Sequence, residues 1–324
     1  MRETVPPDNA PRRLPATVTA AAGQQDGELD AWLTGSAAKA VRYCDDIYFR
    51  ESWKQACELL PDPALTLRAN TYVLIKPETV ATGRVEQLLE LIRDRGYLLL
   101  DVLPVVLDRY RTRALWQYQL NAAPLATLAT VDLIVSCGPS AIALLAEEPA
   151  ARQPGVSASQ RLSAMKGVSF GSRRPDDIRT LLGAVTRMFS YLHVPDEPAD
   201  LVRELGIWFD HTARHRVYRR LAGAGGDVAP RPAIAEVARR LEGDTGVIDL
   251  DLDRALDTVA RTVAAQDRPR LRQVRNWLSG EPEDATLLDV VRWLSGLTDV
   301  PAWTRALIAA HLVQGESPER APLL

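Results

Sequence analysis

The sequence is poor in lysine, in cysteine and in uninterrupted apolar runs, and each shortage removes a class of protein from consideration. Apolar residues make up 46% of the 324 positions and charged ones 25%, an ordinary balance for a soluble globular chain. No apolar run approaches the roughly 18 residues of a membrane-spanning helix. The N-terminus carries no signal-peptide core. The expectation is a cytoplasmic protein with no membrane partner. Surplus positive charge is missing too: the net charge is -3, which gives no electrostatic ground for a nucleic-acid partner. The three cysteines, Cys44, Cys57 and Cys137, form an odd set without metal-ligand spacing and read as reduced, buried thiols. Lysine occurs only as Lys39, Lys54, Lys76 and Lys166, and the other 35 of the 39 basic residues are arginine.

A lysine inside an apolar strand is therefore conspicuous. Thr71-Tyr-Val-Leu-Ile-Lys-Pro-Glu78 reads as a short strand that ends on Lys76 and is stopped by a proline. Far downstream, Tyr191-Leu-His-Val-Pro-Asp196 reads as a strand that delivers His193 into a turn. A cation and a nitrogen nucleophile at the ends of two strands suit phosphoryl transfer.

Along the chain, residues 1–27 are rich in Pro, Ala and Gly without periodicity and read as a disordered leader. Residues 28–68 read as a helical preface, its main helical run ended by Pro61-Asp-Pro63. Residues 72–75 form a strand, 85–92 a helix and 97–107 a second strand. Residues 109–130 look helical in two pieces, broken near Asn121-Ala-Ala-Pro124. Residues 131–136 read as a third strand closed by Cys137-Gly-Pro139, and 140–145 as either a strand or a helix entry. A basic Gly/Ser loop follows over 167–175, then a fourth strand over 188–192 and a helix over 199–209. Residues 211–324 repeat apolar positions every three or four residues, the pattern of a C-terminal domain of about five helices. Trp-Leu-Ser-Gly at 277–280 and again at 293–296 reads as a helix-ending device. Arg268, Arg270, Arg272 and Arg275 lie near Glu281, Glu283 and Asp284 and read as a salt-bridged face. His211 and His215 share a helix face without a third metal ligand.

Residues 69–210 resemble the nucleoside diphosphate kinase family. Three places carry the resemblance: Tyr72-Val-Leu-Ile-Lys-Pro-Glu78 followed by Gly83-Arg-Val85; Ser136-Cys-Gly-Pro139; and the ungapped run from His193 through Glu204 to Trp208-Phe209. The resemblance implies an α+β fold with a ferredoxin-like βαββαβ antiparallel sheet and helices on one face. It implies a phosphotransferase that takes the terminal phosphate of a nucleoside triphosphate onto His193. The phosphate then passes to a nucleoside diphosphate or another small-molecule acceptor, with Mg2+ held through the nucleotide phosphates. Homo-oligomers are common in the family. By the same resemblance Glu204 holds the other ring nitrogen of His193, and Lys76 reaches the phosphate or the ribose. Tyr118 stands beside the histidine, and Arg161 and Arg179 clamp phosphate oxygens. Four positions depart from the pattern. Ser190 stands where the family has the ribose-holding asparagine, Pro195 where it has a serine, and Leu125 where an aromatic sandwiches the base. Ser169 is the nearest counterpart of the phosphate-loop threonine. The implication is retained phosphate chemistry with an altered nucleoside grip. The alternative is a kinase-like fold retired from catalysis that works as a binding module through its C-terminal helices.

Overall fold

The computed structural model describes residues 24–25, 28–169, 171–223, 232–243, 247–281, 285–318 and 320–324. The expected leader lies outside them apart from β1 (Gln24–Gln25), which pairs antiparallel with β2 (Glu28–Leu29). Three helices follow. α1 (Ala37–Asp45) starts at Ser36, whose side chain accepts from the Lys39 amide. α2 (Ile47–Leu59) starts at Asp46, which accepts from the Tyr48 and Phe49 amides. α3 (Pro63–Ala69) begins where the proline pair pointed to an end. Asp62 caps it, and Pro63 stands in the first turn, where a missing N–H costs nothing.

The central sheet is built from β3 (Asn70–Ile75), β4 (Tyr97–Val105), β5 (Ser140–Glu147) and β6 (Leu192–His193), in the order β4-β5-β3-β6. Every pairing is antiparallel, with Tyr72 opposite Leu144 and Leu74 opposite His193. With α4 (Pro77–Ala81) and α5 (Val85–Arg93) after β3, and α9 (Ala158–Lys166) and α10 (Ile178–Leu181) after β5, this is the ferredoxin-like βαββαβ arrangement. The fold is α+β.

Two strands differ from the sequence reading. Residues 131–136 are not a strand; all but Ser136 belong to α8 (Leu125–Val135), which follows α6 (Arg109–Leu115) and α7 (Gln117–Leu120). A short, mostly apolar run carries no period that separates helix from strand, and packing between two cores, with Val135 in one and Leu133 and Ile134 in another, makes it helix. The strand is the ambiguous run that follows, Ser140–Glu147. The fourth strand is also shorter than residues 188–192, because Tyr191 has a left-handed backbone with φ 64° and breaks the extended run.

Helices cover both faces of the sheet, not one. β3 is buried at all six positions, and its side chains alternate between two cores. Tyr72 and Leu74 face α1, α2 and α11 (Pro198–Trp208), while Val73 and Ile75 face α5 and α9. α2 and α11 approach so closely that a Cβ at Gly206 would stand 2.2 Å from the Tyr48 carbonyl oxygen.

The helices after residue 210 go to three places. α12 (His211–Leu221) packs in the first core against α2, and α13 (Ile234–Glu242) packs on α5 in the second. α14 (Leu252–Thr262), α15 (Arg268–Ser279), α16 (Leu287–Gly296) and α17 (Ala302–Leu312) enclose a third core that includes Ala126, Leu133 and Ile134 of α8. α8 is thus apolar all round because both sides are covered. Gly280 closes α15 in the left-handed region at φ 79°, whereas Gly296 is the last residue of α16. No helix of the described residues is long and apolar enough to cross a membrane.

Candidate active site

His193 is placed by a strained turn held from two sides. Tyr191, two residues before it, has φ 64°, a region that costs a non-glycine residue about 1–2 kcal/mol. The turn after β3 holds it there. The Lys76 amide donates to the Tyr191 carbonyl at 3.1 Å and the Thr79 hydroxyl donates to the same oxygen. The Tyr191 amide in turn donates to Glu78 Oε1 at 3.1 Å. β3 and the histidine segment are locked together at the point where the two motif stretches meet.

One face of α11 then completes the pair. His193 Nε2 lies 3.0 Å from both Oε1 and Oε2 of Glu204. No described residue hydrogen-bonds Nδ1. Glu204 is held in turn by the hydroxyl of Tyr72, which accepts from the Trp208 indole N–H at 2.9 Å. Burial and the adjacent Glu204 carboxylate hold the Tyr72 phenol well above its ordinary pKa, so it stays a donor. The Trp116 ring stands edge-on to the imidazole at 5.3 Å and 86°.

These groups open on a cleft of about 740 Å³. Most cations on it are already paired. Lys39 from α1 binds Glu197 at 2.9 Å and Asp200 at 2.8 Å, and Asp200 also accepts from the Tyr43 hydroxyl at 2.6 Å. Burial depresses the Lys39 ammonium, but Asp200 and Glu197 outweigh it and hold its pKa above the usual lysine value. Burial raises the Asp200 carboxyl. Lys166 binds Asp196 at 2.7 Å, and Arg174 binds Asp177 at 2.8 Å. Arg179 differs: its guanidinium donates to the carbonyls of Ser190 at 3.2 Å, Leu192 at 3.1 Å and Gly167. Burial, aided by Arg173, pushes its pKa down to about 10.

The structure brings together most of the residues singled out in the sequence. Tyr118 lines the cleft with His193 and Glu204, its hydroxyl donating to Asp46 at 3.0 Å. Ser169 and Arg179 line it too. Lys76 and Ser190 stand on an adjoining chamber, 3.1 Å apart, with Lys76 also 2.7 Å from Glu78. Two residues go elsewhere. Arg161 stacks 4.4 Å over Tyr97 and pairs with Glu147, a carboxylate only 3% exposed that needs a cation. Leu125 is 58% exposed at the start of α8 and lines neither cavity. Tyr72, Trp116 and Lys39 escaped the sequence reading. The rarity of lysine was the available signal for Lys39; Tyr72 and Trp116 acquire their roles only through folding.

Fold and site together define a class: an α+β protein with a ferredoxin-like sheet and a buried carboxylate-backed histidine on a large polar cleft. No family model matches the chain, and no curated protein matches it. Among solved structures it is similar to nucleoside diphosphate kinase from Encephalitozoon cuniculi in its apo form, at 14% identity and a TM-score of 0.36 over 51% of this chain and 95% of that one. It is also similar to an NDP kinase from Pyrobaculum aerophilum, at 15% identity and a TM-score of 0.35 over 44% of this chain and 97% of that one.

Proposed function

We propose that the protein is a phosphotransferase that carries the terminal phosphate of a nucleoside triphosphate on His193. The observation that carries this reading is the contact of Nε2 with both Glu204 oxygens at 3.0 Å, on a cleft of about 740 Å³. With its proton on Nε2, the imidazole keeps the Nδ1 lone pair for attack. The Nδ1–P bond forms as the bond from phosphorus to the bridging oxygen breaks, and the nucleoside diphosphate leaves with that electron pair. The ring gains positive charge in this step, and Glu204 sits where that charge is balanced. Arg179 offers planar donors to phosphate oxygens.

Mg2+ would come with the nucleotide and neutralise charge on its phosphates. The described residues hold no cluster of three or more His, Cys, Asp or Glu to cage an ion, which suits a metal carried by the substrate. Asp196, its side chain 62% exposed, is the cleft carboxylate best able to reach such an ion through water.

The acceptor is a nucleoside diphosphate or a specialised small molecule. A second reading, a fold retired from catalysis, draws support from the pairing of Lys76 with Glu78 and of Lys39, Lys166 and Arg174 with carboxylates.

Incubation with γ-labelled ATP and Mg2+ separates the two. The first reading expects an acid-labile, base-stable label on the wild type that His193→Ala abolishes. An unlabelled wild type, or an equally labelled variant, overturns it.

A further inference from the structure

Adjoining the cleft is a smaller chamber of about 280 Å³ that shares Trp116, Ser169, Arg179 and His193 with it. Leu120, Val131, Ile134, Val135, Met188 and Leu192 give it its apolar wall, and of its polar lining Thr127 and Arg187 are bound to each other and to Glu316. Lys76 and Ser190, where the family resemblance puts the ribose grip, stand on this chamber, Lys76 with its donors committed and Ser190 accepting from it. An ammonium has three N–H bonds to give. Lys76 Nζ already has Glu78 Oε1 at 2.7 Å, the Met188 carbonyl at 3.0 Å and Ser190 Oγ at 3.1 Å. A sugar seated here would lay most of its hydroxyls against the apolar wall without partners, which is unfavourable. An aliphatic body would bury apolar surface and bring no polar group that needs a partner. At roughly 30 Å³ for each water-sized group, the space takes about nine such groups.

The charge at the mouth of the chamber completes the picture. Arg179 stands on both cavities, and its three hydrogen-bond partners are carbonyl oxygens, not carboxylates. An anion beside His193 would meet a guanidinium whose charge no direct ion pair offsets. Among the described residues lining the chamber there is no Asp or Glu, and the cleft carboxylates Asp177, Asp196, Asp200 and Glu204 are held by Arg174, Lys166, Lys39 and His193, so an alcohol would find no unpaired carboxylate base for its proton.

We infer that the acceptor is an aliphatic phosphate monoester, its chain in the chamber and its phosphate at Arg179 beside His193. This rests on the phosphotransfer reading and names its acceptor. A phosphate oxygen of the monoester attacks the phosphorus carried on Nδ1. A P–O bond forms, the P–N bond breaks, and its electron pair returns to Nδ1. The product is an alkyl diphosphate. The attacking oxygen is already deprotonated, so no general base is consumed, and Nε2 keeps its proton towards Glu204.

The test uses the full chain labelled from ATP, freed of nucleotide, and chased with n-alkyl phosphates from ethyl to octyl, nucleoside diphosphates, inorganic phosphate and butanol. The alkyl phosphates should discharge the label into alkyl diphosphates, the efficiency (kcat/KM) rising about fourfold per methylene until the chamber fills. Nucleoside diphosphates should be at least about tenfold less efficient than the best of them. Val131→Ala should move the optimum to a longer chain, a gain that misfolding cannot mimic. Discharge by nucleoside diphosphates as efficient as by any alkyl phosphate, or efficiency independent of chain length, overturns the inference. If no label forms at all, the phosphotransfer reading falls by itself, and calorimetric titration with ethyl, butyl and hexyl phosphate then tests the chamber. Affinity rising with chain length supports it as the binding site for aliphatic phosphates, and flat or absent binding overturns it.

Discussion

The Tyr72 hydroxyl donates to Glu204, the carboxylate that holds His193. Strand β3 therefore does more than carry Lys76: it fixes the orientation of the carboxylate behind the candidate nucleophile. Tyr72→Phe keeps the buried ring and removes the hydroxyl, leaving the Trp208 N–H without its partner. The expected cost is about 1–3 kcal/mol of stability for the unpaired group. The rate of label transfer at saturating ATP should fall by about tenfold. Quench-flow labelling beside urea denaturation checks both, and an unchanged rate would show that Tyr72 only packs.

Lys39 makes a different prediction, because it neutralises a buried charge. Asp200 is 6% exposed and pairs with Lys39 at 2.8 Å. Lys39→Met strands that carboxylate and should cost about 3 kcal/mol. Adding Asp200→Asn should recover part of the loss. Denaturant midpoints of the two single variants and the double variant give the coupling, and strict additivity would mean that the pair is not felt as a pair.

Glu78 tests whether Lys76 is held back from substrate. Its carboxylate is fully buried, 2.7 Å from Lys76 Nζ. Glu78→Gln keeps an oxygen for the Tyr191 amide while removing the charge. The variant should lose stability, by about 1–3 kcal/mol, and bind Mg-ATP more tightly as Lys76 turns to the phosphates. Calorimetric titration reads this directly, and weaker or equal binding would rule out Lys76 as a phosphate ligand.

A pH effect is expected in the third core. Burial lowers the His311 pKa below its ordinary 6.5. The folded state thus binds this proton less well than the unfolded state. The stability that His311 contributes is present above about pH 6.5 and is lost as pH falls through the lower folded value. Thermal unfolding between pH 7.5 and 5 should show this loss, and His311→Gln should flatten it.

Legibility in the sequence followed the distance over which each feature is determined. His193 and Glu204 stand eleven residues apart on one strand–turn–helix, and the ungapped family resemblance over that run implied their meeting, while the apolar run before Lys76 marked its strand. The end of α8 reads as a strand because Val131 to Val135 carries no clear period, and residues 140–145 stay open between strand and helix; packing between two cores decides the first and sheet pairing the second. The packing of α2 against α11, and the pairing of Lys39 with Asp200 or Tyr72 with Glu204, join residues more than a hundred positions apart. No local pattern encodes such pairs. Arg161 shows the converse: a basic residue at a plausible position pairs with a buried carboxylate, Glu147, that no local pattern places beside it.

Asp46 links the opening helices to the site in a way that bears on how the molecule opens. One carboxylate oxygen caps α2 through the Tyr48 and Phe49 amides, and the other binds Arg203 at 2.8 Å and the Tyr118 hydroxyl at 3.0 Å. Arg203 lies on α11, one residue before Glu204. Fraying of the α2 start therefore cannot proceed alone, because it would strip a fully buried guanidinium of its counter-ion. The first turn of α2 and the middle of α11 belong to one cooperative unit. Their amides should exchange hydrogen together and slowly.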